Sequence, residues 1–120
     1  MKLFNVEEAN ALLPTVRRIV AGLARDYARV VAAREAAREA AERAKESGGG
    51  LYITALAGLA ERAGQLEALG VQLKDYERGL IDFPAMRDGR VVLLCWQLGE
   101  GDRIEWWHDL EAGFAGRQPL

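Results

Sequence analysis

One pattern constrains this chain more than any other, the run from Pro14 to about Glu46. Val16, Val20, Leu23, Tyr27, Val30, Ala37, Ala41 and Ala44 recur there at alternating spacings of four and three, interrupted at Arg34, which places them on one stripe of a long helix. The second half of the run is alanine and charge, with Glu39 and Arg43 spaced for i,i+4 pairing. That composition favours helix and lets a neighbour approach closely. Ser47-Gly48-Gly49-Gly50 stops the helix and leaves a connection short enough to turn the chain back on itself. From about Leu51 to Leu69 a second stripe follows, Tyr52, Leu56, Leu59, Ala63 and Leu66, ending at Gly70. The two runs predict the arms of an antiparallel helical hairpin.

Upstream, Asn5 can cap a helix that starts at about Val6, with Glu8 three residues on as a capping box requires. Pro14 lacks an N–H and disfavours helix at Leu13, so the first segment is either a short helix followed by a new one at Pro14 or a single helix kinked there, with the break favoured. At about 1.5 Å per residue the first arm spans roughly 50 Å and the second roughly 28 Å. Val16, Ile19, Val20 and Leu23 are therefore left for residues 71–120 to cover. That remainder reads as strands: a short one at Val71 to Lys74, then Gly79 to Pro84, Val91 to Leu98 and Arg103 to His108, with turns at Asp88-Gly89 and Gly99 to Asp102. The expected fold is α+β, a long antiparallel helical hairpin with a small C-terminal antiparallel β-meander packed against it. Residues 1–120 form one domain in this reading, 5–70 helical and 71–120 sheet and tail.

Composition narrows the function classes. A chain of 120 residues, 50% hydrophobic and 28% charged, is globular and holds one core. A net charge of −2 exerts no overall pull on nucleic acid or an anionic membrane. Arg18, Arg25 and Arg29 share a narrow helical sector, but with no recognition-helix or stacking signature they read as a solvated face, so nucleic acid is not an expected partner. No stretch approaches the roughly 20 apolar residues of a membrane span. A lone cysteine, Cys95, and the absence of a signal-peptide core point to the cytoplasm.

If Asp88-Gly89 is a two-residue loop, Arg87 faces Arg90, Phe83 faces Leu94 and Asp82 faces Cys95. An even-length second loop sets Cys95 opposite Trp106 and Leu94 opposite Trp107. One sheet face then collects Ile81, Phe83, Val92, Leu94, Trp96, Leu98 and Trp107, the core side. The other collects Leu80, Asp82, Leu93, Cys95, Gln97, Ile104, Trp106 and His108.

Asp82, Cys95 and His108 are a candidate ligand set for a divalent transition metal, zinc or iron, because carboxylate, thiolate and imidazole all bind such ions. Cys95 and His108 lack a second Cys or His pair, which excludes a closed structural zinc site and leaves an open three-ligand one. The same residues could form a Cys–His nucleophilic pair oriented by Asp82, although a cysteine in mid-strand reads first as a core thiol. Trp106 and Arg117 complete a candidate small-ligand site. Arg117, in the tail Gly113 to Leu120, either clamps a ligand carboxylate or phosphate or pairs with a nearby acid and pins the tail.

Gly-Leu-Ile-Asp-Phe-Pro at 79–84, Leu-Cys-Trp at 94–96, Gly-Glu at 99–100, Trp-His at 107–108 and Gly-Phe-Ala-Gly-Arg-Gln-Pro-Leu at 113–120 resemble a prokaryotic family, domain of unknown function 2203. Phe-Asn-Val-Glu-Glu-Ala-Asn-Ala-Leu-Leu-Pro at 4–14 is similar to that family's opening. The resemblance implies a bacterial or archaeal cytoplasmic protein and carries no activity or site residue with it. Three functional expectations stand: a small binding or regulatory protein with a ligand or metal site on the sheet, a homodimeric interaction module, and an enzyme using His108 as acid or base. The dimer would form through the helices, where Ile53, Ala57 and Ala60 widen the apolar sector of the second arm.

Overall fold

The computed structural model describes residues 1–42 and 49–120. Helix α1 runs over Val6–Glu42 and α2 over Gly49–Ala68. The expectations on Arg43, Ala44 and the Ser47-Gly48 turn lie outside the described residues, as does the burial of Ala41. The capping box forms as expected: Asn5 Oδ1 accepts from Glu8 N at 2.7 Å while Asn5 N donates to Glu8 Oε1 at 3.0 Å. At the far end of α2, Gly70 at φ 83° lets Val71 N reach Leu66 O (3.0 Å) and Gly70 N reach Glu67 O (3.0 Å), a Schellman ending.

The break expected at Pro14 does not occur; α1 passes through it. Ala9, Leu13, Val16 and Val20 are all within 1% of full burial on one stripe. Packing of that stripe on the sheet outweighs the single backbone hydrogen bond that Pro14 forfeits.

Five strands follow, β1 (Gln72–Asp75), β2 (Leu80–Arg87), β3 (Arg90–Gln97), β4 (Trp106–Asp109) and β5 (Gln118–Pro119), in the antiparallel order β1-β2-β3-β4-β5. Asp88 (φ 51°) and Gly89 (φ 78°) form the two-residue turn, with positive φ at both positions as the twist of a hairpin favours. The register is the one the sequence implies: Arg87 faces Arg90, Asp82 faces Cys95 and Cys95 faces Trp106.

Strand β2 extends past the expected end at Pro84. The Pro84 carbonyl accepts Phe4 N at 2.7 Å on the side away from β3, so the N–H that proline lacks is missing from that side as well, and the β3 ladder is intact. The expected strand from Arg103 begins only at Trp106, because Ile104 turns into the core and donates its N–H to Asn10 Oδ1 at 2.7 Å. Ile104 therefore belongs to the core side, not to the outer face where the alternation placed it. Strand β5 lies within the segment expected as tail and pairs with β4 through Trp106–Pro119 and Trp107–Gln118.

One hydrophobic cluster joins Leu13, Val16, Val20, Leu23 and Leu66 of the helices to Ile81, Phe83, Val92, Leu94, Trp96 and Trp107 of the sheet. The sheet covers the lower part of α1, and the hairpin extends beyond it in a molecule of 60 × 25 × 25 Å. On α2 the packed stripe differs near its start: Ala55 is buried at 4% while Leu56 is 38% exposed. On α1, Asp26 takes the inward position expected of Tyr27, which stacks on Tyr76 at 5.9 Å instead. Among the described residues no helix is long and apolar enough to cross a membrane.

Candidate metal centre

Asp82 on β2, Cys95 on β3 and His108 on β4 come together on the face of the sheet opposite the core cluster. Strand alternation puts them there, and the two hairpin registers align them. Their side chains are 2%, 1% and 3% exposed, and one donor atom from each lies within 4.8 Å of the others.

The hydrogen-bond pattern orients the imidazole. His108 Nδ1 lies 2.8 Å from the carbonyl oxygen of Asp109, which can only accept, so Nδ1 carries the hydrogen. Nε2 faces both carboxylate oxygens of Asp82, each at 3.2 Å. It meets them either through a second proton or through a shared cation. Cys95 also turns to Asp82: burial, followed by the negative charge of Asp82, pushes its thiol up from 9.0 to about 12, Arg117 pulls the other way, and the thiol hydrogen bonds to the carboxylate. A thiol held protonated is the reverse of an activated nucleophile.

The other two candidates sit beside this group. Continuing the β4–β5 pairing of Trp107 with Gln118 by one residue sets Arg117, in extended backbone, opposite His108. Its guanidinium lies over Trp106, 5.0 Å from the ring centroid, and donates from Nη2 to Glu100 Oε1 at 2.8 Å. The internal pairing expected of Arg117 is present, with Glu100 as the acid.

Two features escaped the sequence reading. Phe114 and Arg78 join the Arg117 stack; Phe114 lies in the tail segment 113–120, and neither motif nor spacing marks Arg78. Asp26, 5% exposed, pairs with Arg62 across the helices and with Arg29 at 3.5 Å. Gly22 and Gly58 give that pair its space, since a Cβ on Gly58 would lie 2.6 Å from Asp26 Oδ2 and one on Gly22 would collide with Arg62. A glycine four residues before an acid on a helix stripe was the available signal. A cavity of about 490 Å³ opens beyond this pair, walled by Ala32, Ala33, Ala36 and Ala55. Its one buried carboxylate is already taken by arginines, so it offers less chemistry than the sheet.

The chain belongs to the family described as uncharacterized conserved protein (DUF2203), whose model matches residues 2–120. No curated protein and no solved structure matches it.

Proposed function

We propose that this family member is a small metal-binding protein that holds one divalent transition ion, zinc or iron(II), between Asp82, Cys95 and His108. What carries the reading is the anchored imidazole: Nδ1–H is fixed on the Asp109 carbonyl and Nε2 is directed at Asp82, with Cys95 completing three donors within 4.8 Å. A metal-binding histidine is commonly fixed in this way through its other nitrogen. The ion would displace the thiol proton of Cys95 and join three groups that otherwise share protons in a dry site. Three protein ligands leave a fourth position, which a single water could fill in so closed a site.

Burial sets this reading against the enzymatic one. His108 is 3% exposed, so its ring nitrogens are closed to a substrate atom in this conformation. An ion needs far less room. A cytoplasmic setting would keep the single thiol reduced and available as a ligand.

Elemental analysis of untagged protein purified without chelators tests the proposal, together with thermal melting on addition of zinc, iron(II) or manganese. About one equivalent of metal, or a melting temperature raised by one of the ions, is the expected result. The absence of both bound metal and any melting shift would sink it.

A second reading concerns the hairpin. On the hairpin, Ile53 and Leu56 of α2 are 67% and 38% exposed and Val31 of α1 is 43% exposed, apolar surface that the helix pair leaves uncovered. A two-fold dimer that joins two hairpins into a four-helix bundle would cover it and leave the sheet site free. Light scattering at low micromolar concentration separates dimer from monomer.

A further inference from the structure

Next to the triad, the sheet carries a layered stack of rings and guanidinium groups. Arg117 lies between Trp106 and Phe114, 5.0 and 4.6 Å from their centroids, and Arg78 lies 4.2 Å from the Phe114 centroid. Arg78 Nη2 donates to Gln97 Oε1 at 3.0 Å. Gln97 is two residues along β3 from Cys95 and on the same face, hence about 7 Å away.

Of the carboxylates near this stack, only Glu100 touches a guanidinium: Asp75 accepts the backbone N–H of Arg78 at 3.0 Å, and Asp82 faces Cys95. Among the described residues the Arg78 guanidinium has an amide oxygen and a ring as partners, and no carboxylate. Arg117 shares Glu100 with the backbone: Glu100 Oε1 accepts both Arg117 Nη2 and Gln97 N, each at 2.8 Å. The Arg117 side chain is only 10% exposed, and its Nε has no acceptor.

We propose that Arg78 and Arg117 form a binding site for the dianionic phosphate group of a small ligand, with the Glu100 carboxylate holding the ligand's place on Arg117. Once Glu100 swings away, two guanidiniums face the site, matching the charge of about −2 on a phosphate monoester at neutral pH. A ligand carboxylate would only exchange one monoanion for another and leave Arg78 unmatched. The distances to Phe114 put the two guanidinium carbons within about 9 Å of each other. A phosphate making N–H···O bonds of about 2.8 Å to both reaches across about 8 Å between donor nitrogens, so it would bridge the two along the rim of the Phe114 ring. Stacking uses the flat faces of the guanidiniums and leaves their donor edges for an anion. Glu100 sits in the turn between β3 and β4 with a side chain 23% exposed, so water can replace it as acceptor for Gln97 N when the ligand takes its place on Arg117. None of these residues is a triad ligand, so the site does not rest on the metal.

Calorimetric titration of the full chain, treated with chelator and dialysed, tests this with inorganic phosphate and with acetate. Saturable phosphate binding is expected, tighter than acetate. Arg78→Ala and Arg117→Ala should each weaken it about tenfold or more, Arg117→Lys should weaken it by a smaller factor, and Glu100→Gln should tighten it about three- to tenfold. Circular dichroism of each variant separates lost binding from lost fold, and Arg117→Lys and Glu100→Gln keep the test open if Arg117→Ala unfolds. The proposal is overturned by no saturable binding, by acetate binding more tightly than phosphate, by affinity unchanged in Arg78→Ala and Arg117→Lys, or by a Glu100→Gln affinity that stays level or falls. Because the titrated chain is metal-free, failure of the metal reading leaves the result intact.

Discussion

Asp82 stands directly opposite Cys95 across β2 and β3, and its carboxylate holds the proton on the cysteine sulfur. Burial and that negative charge act in the same direction, so the thiol stays protonated well above its ordinary range.

In the folded, metal-free protein, Cys95 should resist alkylation. At pH 8 iodoacetamide should label it at least about a hundredfold more slowly than it labels the urea-unfolded chain, because only the thiolate reacts and access is closed as well. Mass spectrometry after timed quenching reads the rate. Labelling at the unfolded rate would show that the thiol is neither buried nor held by Asp82.

Stability should fall in alkali. The thiol titrates at about 12 in the folded chain against 9.0 ordinarily, so the unfolded chain loses this proton first as pH rises. The contribution is complete below pH 9 and is lost progressively between 9 and about 12. Urea midpoints from pH 8 upward check this, with Cys95→Ala as reference; equal slopes for both proteins would assign the alkaline loss to other groups.

Metal affinity should rise with pH. Binding exchanges the Cys95 proton for the ion, so the association constant should increase about tenfold per pH unit between pH 7 and 9, with one proton released from the thiol. Competition against a chromophoric chelator at several pH values measures the slope. Cys95→Ser should lose at least about a hundredfold in affinity, and a flat profile would exclude the thiolate as a ligand.

The helix glycines should respond oppositely to alanine. Gly64 has nothing within 4 Å of a new Cβ, so Gly64→Ala should gain about 0.5–1 kcal/mol from helix propensity alone. At Gly22 the same gain is set against overpacking on Arg62 that costs about 1–3 kcal/mol, and Gly58→Ala crowds Asp26 in the same way. Denaturant melts of the three variants should therefore differ in sign, and three equal gains would mean that the Asp26–Arg62 pair yields without cost.

Ile53→Glu should leave the fold intact and abolish any dimer, since Ile53 is 67% exposed and contributes little to the monomer core. A dimer unchanged by Ile53→Glu in light scattering would place the interface off the hairpin. Leu59 is unsuitable for this test because it packs against the core.

Local chemistry and strand period by themselves determined much of this protein. Asn5 with Glu8 marks the start of α1, Gly70 the end of α2, and Asp88-Gly89 the turn that sets a register in which Asp82 faces Cys95. These are short-range rules, and once a two-residue loop is set, a period of two assigns every side chain on β2 and β3 to a face. What tertiary structure alone decided lies where burial overrides local preference. Pro14 stays helical because the stripe around it packs on the sheet, and Ile104 leaves its strand because the core takes its side chain and Asn10 its N–H. Asp26 turns inward because Arg62, thirty-six residues away, meets it there. The stack of Trp106, Arg117, Phe114 and Arg78 exists only once β5 pairs with β4. Each of these outcomes depends on partners distant in sequence, whose combined burial and charge exceed the roughly 1–3 kcal/mol by which a local preference resists.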